Sequence, residues 1–107
     1  MKMRSLMFAL ALAFAYGEAC ADAPTDATVA ISNFTFKPGD LHVKVGTRVT
    51  FKNEDDIPHR VAAVDGSFAS KALDSDDQAS FTFSKVGVFS YFCTLHPRMQ
   101  GKIIVTP

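Results

Sequence analysis

The chain is predicted to be all-β, folded as a two-sheet Greek-key sandwich, and three observations carry that prediction. Short apolar runs recur at 29–31, 41–45, 48–53, 60–64, 80–83, 88–92 and 102–105, several of them alternating with period two. Turn-forming residues separate them, and no stretch shows a convincing amphipathic helical period. A length of 107 residues allows one hydrophobic core and leaves no room for a second. About seven strands in so short a chain are most economically stacked as two sheets.

The strands follow one another in a readable order. Leu41, Val43 and Val45 alternate with His42 and Lys44, and Val49 and Phe51 alternate with Arg48, Thr50 and Lys52, giving each strand one buried and one wetted face. Pro38-Gly39 suits a type II turn, Gly46-Thr47 follows the second run, and Gly87 precedes the last two strands. The one long irregular stretch is 65–78. Phe68 and Leu73 can pin it to the sandwich, Asp74, Asp76 and Asp77 read as a solvated loop, and a short helical turn is compatible with it.

The amino terminus has a different build. Lys2 and Arg4 precede an apolar run at 6–15, followed by Gly17-Glu18-Ala19-Cys20-Ala21, the three-part pattern of a secretory signal. The run is shorter than the ~20 residues that span a bilayer, which argues against a membrane anchor. Gly17 and Glu18 do not suit a lipoprotein signal ending at Cys20. The expected division is therefore a signal peptide over 1–21, cleaved after Ala21, and one domain over 22–107 exported to the periplasm. Cleavage leaves one cysteine of 2 and one methionine of 4, namely Cys93 and Met99. A lone cysteine in an exported chain cannot close an internal disulfide, so it is a buried thiol, an intermolecular bridge or a ligand.

The ligand reading gains weight from the neighbours. In Cys93-Thr94-Leu95-His96-Pro97-Arg98-Met99 a thiol, an imidazole and a thioether recur every third residue between the last two strands. Alpha carbons stand about 3.8 Å apart, so such residues converge on one ion only if the loop curls. Thiolate, imidazole and a weak thioether form the soft, mixed set that suits copper in both oxidation states, whereas zinc more usually takes further Cys or His and no Met. A second imidazole is needed, and His59 in Pro58-His59-Arg60 is the candidate, at the start of a strand after a proline turn. Singly, each residue has an ordinary explanation in packing or hydrogen bonding. Jointly, their spacing does not. Alternation turns His42 outward, and it is read as a surface residue.

Tyr91-Phe92-Cys93-Thr94-Leu95-His96-Pro97-Arg98-Met99, with the earlier Pro58-His59, resembles the type 1 copper signature of the cupredoxins, and the short Cys-x2-His-x2-Met loop is most similar to the amicyanin-like branch. The resemblance covers nearly all of the chain after the signal, including 41–46 and 101–105. It implies one blue copper ion per chain held by His59, Cys93, His96 and Met99, with the two histidines and the cysteine in a plane and Met99 axial. It further implies a monomeric, non-enzymatic carrier of single electrons. The implied partners are transient: a periplasmic dehydrogenase or other donor, and a cytochrome c or oxidase as acceptor. Three positions depart from the pattern: Arg60 stands where Asn is common, and Leu95 and Arg98 replace Pro and Phe.

Equal counts of 11 basic and 11 acidic residues give no nucleic-acid-binding face. After signal cleavage nothing remains to insert in a membrane. A copper-trafficking or storage module would use the same ligands. A copper reductase or oxidase would need more histidine than His42 offers, and a metal-free adhesive sandwich leaves the Cys-His-Met spacing unexplained. His96 is the expected electron port, in an apolar patch of Pro58, Leu95 and Pro97 rimmed by Arg60 and Arg98. Backbone groups near Arg60 and the Met99 loop are expected to hydrogen-bond the Cys93 sulfur.

Overall fold

The computed structural model describes residues 25–107; the signal-peptide reading and its cleavage point fall outside them. Eight strands follow in order: β1 (Asp26–Ser32), β2 (Thr35–Lys37), β3 (Asp40–Lys44), β4 (Thr47–Asn53), β5 (Val61–Ala63), β6 (Gln78–Phe83), β7 (Gly87–Cys93) and β8 (His96–Thr106). They form two four-stranded sheets, β2-β1-β4-β6 and β3-β8-β7-β5, with no helix among the described residues. The pairs β1/β4 and β3/β8 are parallel and the rest antiparallel. The sandwich expected from period-two patterning is the one found.

Alternation decides which side chains fill the space between the sheets. Val29 and Ile31 from β1, Val49 and Phe51 from β4, Tyr91 and Cys93 from β7, and Ile103 and Val105 from β8 are all buried. Aromatic rings dominate the middle: Tyr91 packs edge-on against Phe36 at 4.8 Å and Phe51 at 5.1 Å between centroids, an arrangement that contributes beyond area burial. Phe68 joins them, stacked on Phe51, so the loop after β5 is pinned where Phe68 and Leu73 enter the core.

Four local expectations change. The stretch 65–78 makes no helical turn; it runs back along β5 through bridges Ala62↔Ala69 and His59↔Leu73, adding a broken edge to the second sheet. Val45 leaves the alternation and is exposed, because the chain is already turning at Gly46. Pro38-Gly39 is not a type II turn, since Gly39 lacks the positive φ such a turn requires. Finally, β8 begins at His96, six residues before the run that announced it.

Candidate metal centre

Three chain segments meet at one pole of the sandwich: the turn between β1 and β2, the approach to β5, and the hairpin joining β7 to β8. The hairpin is the least regular. Phe92 pairs with Gln100, yet the next residue, Cys93, pairs with His96, so Pro97, Arg98 and Met99 are displaced as a bulge on β8. This is the curl the sequence required. It brings His96 beside Cys93 while Met99 turns back into the core, 5% exposed.

His59 reaches the same point from β5. Its amide donates to the Leu73 carbonyl at 3.0 Å and its carbonyl accepts from the Leu73 amide at 2.7 Å, which fixes its backbone. Asn53, fully buried at the end of β4, fixes the loop between: its side-chain amide donates to the carbonyls of Ile57 and Leu73 at 2.8 and 2.9 Å. His59 and Cys93 are wholly buried, and His96 is half-buried.

The donor atoms of His59, Cys93 and His96 all lie within 4.8 Å of one another. The Cys93 Sγ stands 3.7 Å from His59 Nδ1 and 3.8 Å from His96 Nδ1. An ion with bonds of about 2.0 Å to nitrogen and 2.3 Å to sulfur, in a trigonal plane, would hold such atoms about 3.7 Å apart; a tetrahedral angle would draw them to about 3.5 Å. The two sulfur-to-nitrogen spacings are those that one bound ion can bridge, so the three donors can share a single metal. A buried thiol and imidazole side by side, with a buried thioether three residues beyond the second imidazole, is the donor set copper takes in both oxidation states.

Sequence reasoning missed Asp55. Its Oδ2 is 2.8 Å from His59 Nε2, and a carboxylate at that distance accepts the imidazole proton. The tautomer is thus set with Nε2 protonated and the Nδ1 lone pair aimed at Cys93, the orienting role that outer carboxylates play for metal-bound histidine. The same carboxylate accepts the amides of Asn33 at 2.7 Å and Phe34 at 3.0 Å. The Phe34 amide foremost, then His59 and the Asn33 amide, hold the Asp55 carboxyl below its usual range against the opposing cost of its burial. A carboxylate four residues before His59 was a readable signal, and it lies within the acidic run 54–56.

The Arg60 amide lies 3.4 Å from the Cys93 Sγ and its carbonyl accepts the Thr94 amide at 3.1 Å, so the residue after His59 ties the two ligand segments through its backbone. The Arg60 guanidinium does not rim the pole freely, because Nε donates to the Ser70 carbonyl at 2.8 Å. Among the described residues no group of the Met99 bulge hydrogen-bonds the sulfur. Around His96 the surface is apolar, with Leu95 and Phe34 exposed beside Pro58 and Pro97. His42 is exposed on β3, away from the donors, as alternation required.

Fold and donor set together define a small β-sandwich built around one mononuclear copper site. The cupredoxin-like domain model matches residues 5–105, and the chain belongs to the cupredoxin-like family. It is 40% identical over 82 residues to the amicyanin of Paracoccus denitrificans, a match covering 72% of this chain and 63% of that protein, just under two thirds of its length. It is 35% identical over 118 aligned positions to amicyanin-alpha of Methylorubrum extorquens, covering 96% and 99%. Among solved structures, a purple cupredoxin from Nitrosopumilus maritimus superposes with a TM-score of 0.70 at 30% identity, covering 75% of this chain and 99% of that one. Donor chemistry and family agree on one copper ion as the cofactor.

Proposed function

We propose that the protein is a periplasmic type 1 copper protein that carries single electrons between redox partners, with His59, Cys93, His96 and Met99 as the copper ligands. The observation that carries this reading is the preformed trio of donors with sulfur-to-nitrogen spacings of 3.7 and 3.8 Å. The amicyanin relatives support the same role. The copper, when bound, supplies a one-electron couple.

The chain's own residues supply the rest. Backbone bonds through Leu73, Asn53 and Arg60 hold the ligand segments in place, which keeps rearrangement small between oxidation states. Burial of His59 and Cys93 excludes water from the thiolate. The Arg60 amide, directed at the sulfur, moderates its electron donation. His96, the most exposed of the three, reaches the apolar surface of Phe34, Pro58, Leu95 and Pro97 and serves as the port at which partners dock transiently.

The test is the visible spectrum of the purified chain after one equivalent of Cu(II), with Cys93→Ser as control. An intense thiolate-to-copper band, lost in the control and bleached reversibly by ascorbate, is the expected result. Tight binding without that band would move the assignment to copper trafficking, and no binding would overturn the site.

A further inference from the structure

The β1–β2 turn carries a local conflict that the copper reading does not by itself explain. Ser32 pairs with Thr35, leaving Asn33 and Phe34 as a two-residue hairpin turn with φ of 53° and 57°. Such turns favour Asn-Gly. A bulky side chain at positive φ is an outlier, and strain of that kind persists only where the surroundings over-determine it, as they do at functional sites. Core burial does not account for Phe34, which is 53% exposed. Two other contacts do. The Asp55 carboxylate accepts both turn amides, and the Phe34 ring stands edge-on to both imidazoles, its centroid 5.7 Å from His59 and 5.1 Å from His96.

The two histidines are held by different means. His59 donates from its second nitrogen to Asp55, the arrangement nearly all metal-binding histidines show. Among the described residues, nothing hydrogen-bonds the second nitrogen of His96. Its ring is bounded by His59, at 5.1 Å between centroids, and by Phe34.

We infer that Phe34 is a positioning residue for His96, a strained aromatic wedge clamped by Asp55 that fixes the imidazole by ring packing where no hydrogen bond holds its second nitrogen. Asp55 then sets both imidazoles, His59 directly and His96 through the turn it holds in place. The inference rests on the reading of His59 and His96 as copper ligands, but the packing itself belongs to the metal-free chain.

The test compares Phe34→Leu, Phe34→Asn and Phe34→Tyr with the parent. Leu keeps apolar bulk without a ring, Asn tolerates positive φ better than Phe, and Tyr keeps the ring. In the metal-free protein the His96 ring resonances are expected to shift and broaden in the Leu and Asn variants while those of exposed His42 stay fixed. In the copper-loaded protein the same variants are expected to alter the intensity ratio of the thiolate-to-copper bands and the midpoint potential. Phe34→Tyr should keep the parent values, and metal-free Phe34→Asn should melt within a few degrees of the parent. Unmoved His96 resonances, a Tyr variant that behaves like Leu, or a large fall in melting temperature with unchanged spectrum would each reduce Phe34 to a turn residue and overturn the inference. If the parent itself gave no blue band, the copper reading would fail instead, and the metal-free resonances would still decide the packing.

Discussion

Gly101 faces Tyr91 across the β7–β8 ladder, and the tyrosine ring crosses directly over it. A Cβ at Gly101 would fall on the Tyr91 ring and hydroxyl and lie 3.0 Å from the Gly39 carbonyl. Neither obstacle yields easily, because Tyr91 is locked among Phe36, Phe51 and Phe68 and the carbonyl is backbone. The Tyr91 hydroxyl has no hydrogen-bond partner among the described residues, and burial pushes its pKa up, so it stays neutral. Gly101→Ala is accordingly expected to cost about 1–3 kcal/mol, the usual penalty for overpacking a core, read as a lower urea midpoint at unchanged slope. An unchanged midpoint would mean the ring can tilt aside. Nothing in the sequence distinguished Gly101 from a turn glycine, since its partner across the ladder is set by a register that the bulge at Pro97, Arg98 and Met99 displaces.

At the scale of elements, legibility followed regularity. β4 lies close to where period two placed it, because its alternating run faces a sheet on one side and solvent on the other, and β7 lies close to its apolar run at 88–92. β2 escaped notice: three residues after an Asn-Phe turn offer neither the length nor the Asn-Gly signal of a hairpin. The ligand hairpin was legible in its chemistry and not in its form, for a residue that reads as loop becomes strand once a bulge absorbs three positions. Asn53 read as a plain strand end, yet it is the polar peg that joins β4 to the segments carrying His59. Removing its side chain leaves the Ile57 carbonyl without its donor and the Leu73 carbonyl with the His59 amide alone, and the Asp55 amide loses its 2.9 Å acceptor. Asn53→Ala should therefore cost about 2–4 kcal/mol by loss of several buried hydrogen bonds. Copper release to a chelator should also become faster, because the peg holds the His59 segment. A stable variant with unchanged release would show that the Leu73 backbone pair alone fixes His59.

Across the whole molecule the charges balance in number but not in space. Glu54, Asp55 and Asp56 lie on the segment leading to His59, and Asp74, Asp76 and Asp77 lie beside it. Backbone bonds from the Asn53 amide to the Asp77 carbonyl and from the Asp76 amide to the Asn53 carbonyl hold the two segments together. Among the described residues none of these six makes an ion pair, Asp55 instead accepting a hydrogen bond from neutral His59; the pair Arg48–Asp26 lies at the far end of β1 and β4. Lys44, Arg48 and Lys85 sit toward that far pole, while the two acidic segments crowd the donor end. Arg98, exposed on the hairpin, and Arg60, whose Nε is bonded to the Ser70 carbonyl, are cations at the donor end. Two copies exchanging an electron through their His96 faces must bring the acidic poles together, which costs more when salt is low. The Debye length shrinks from about 30 Å at 0.01 M to about 8 Å at 0.15 M ionic strength, so most of that repulsion is screened over this range. Electron self-exchange, measured by line broadening in mixtures of reduced and oxidised protein, should accelerate as salt is added. Arg98→Glu should steepen the dependence by replacing an exposed cation near the contact with an anion. A rate flat in salt for both proteins would place the acidic segments outside the exchange contact and detach the charge asymmetry from the electron port.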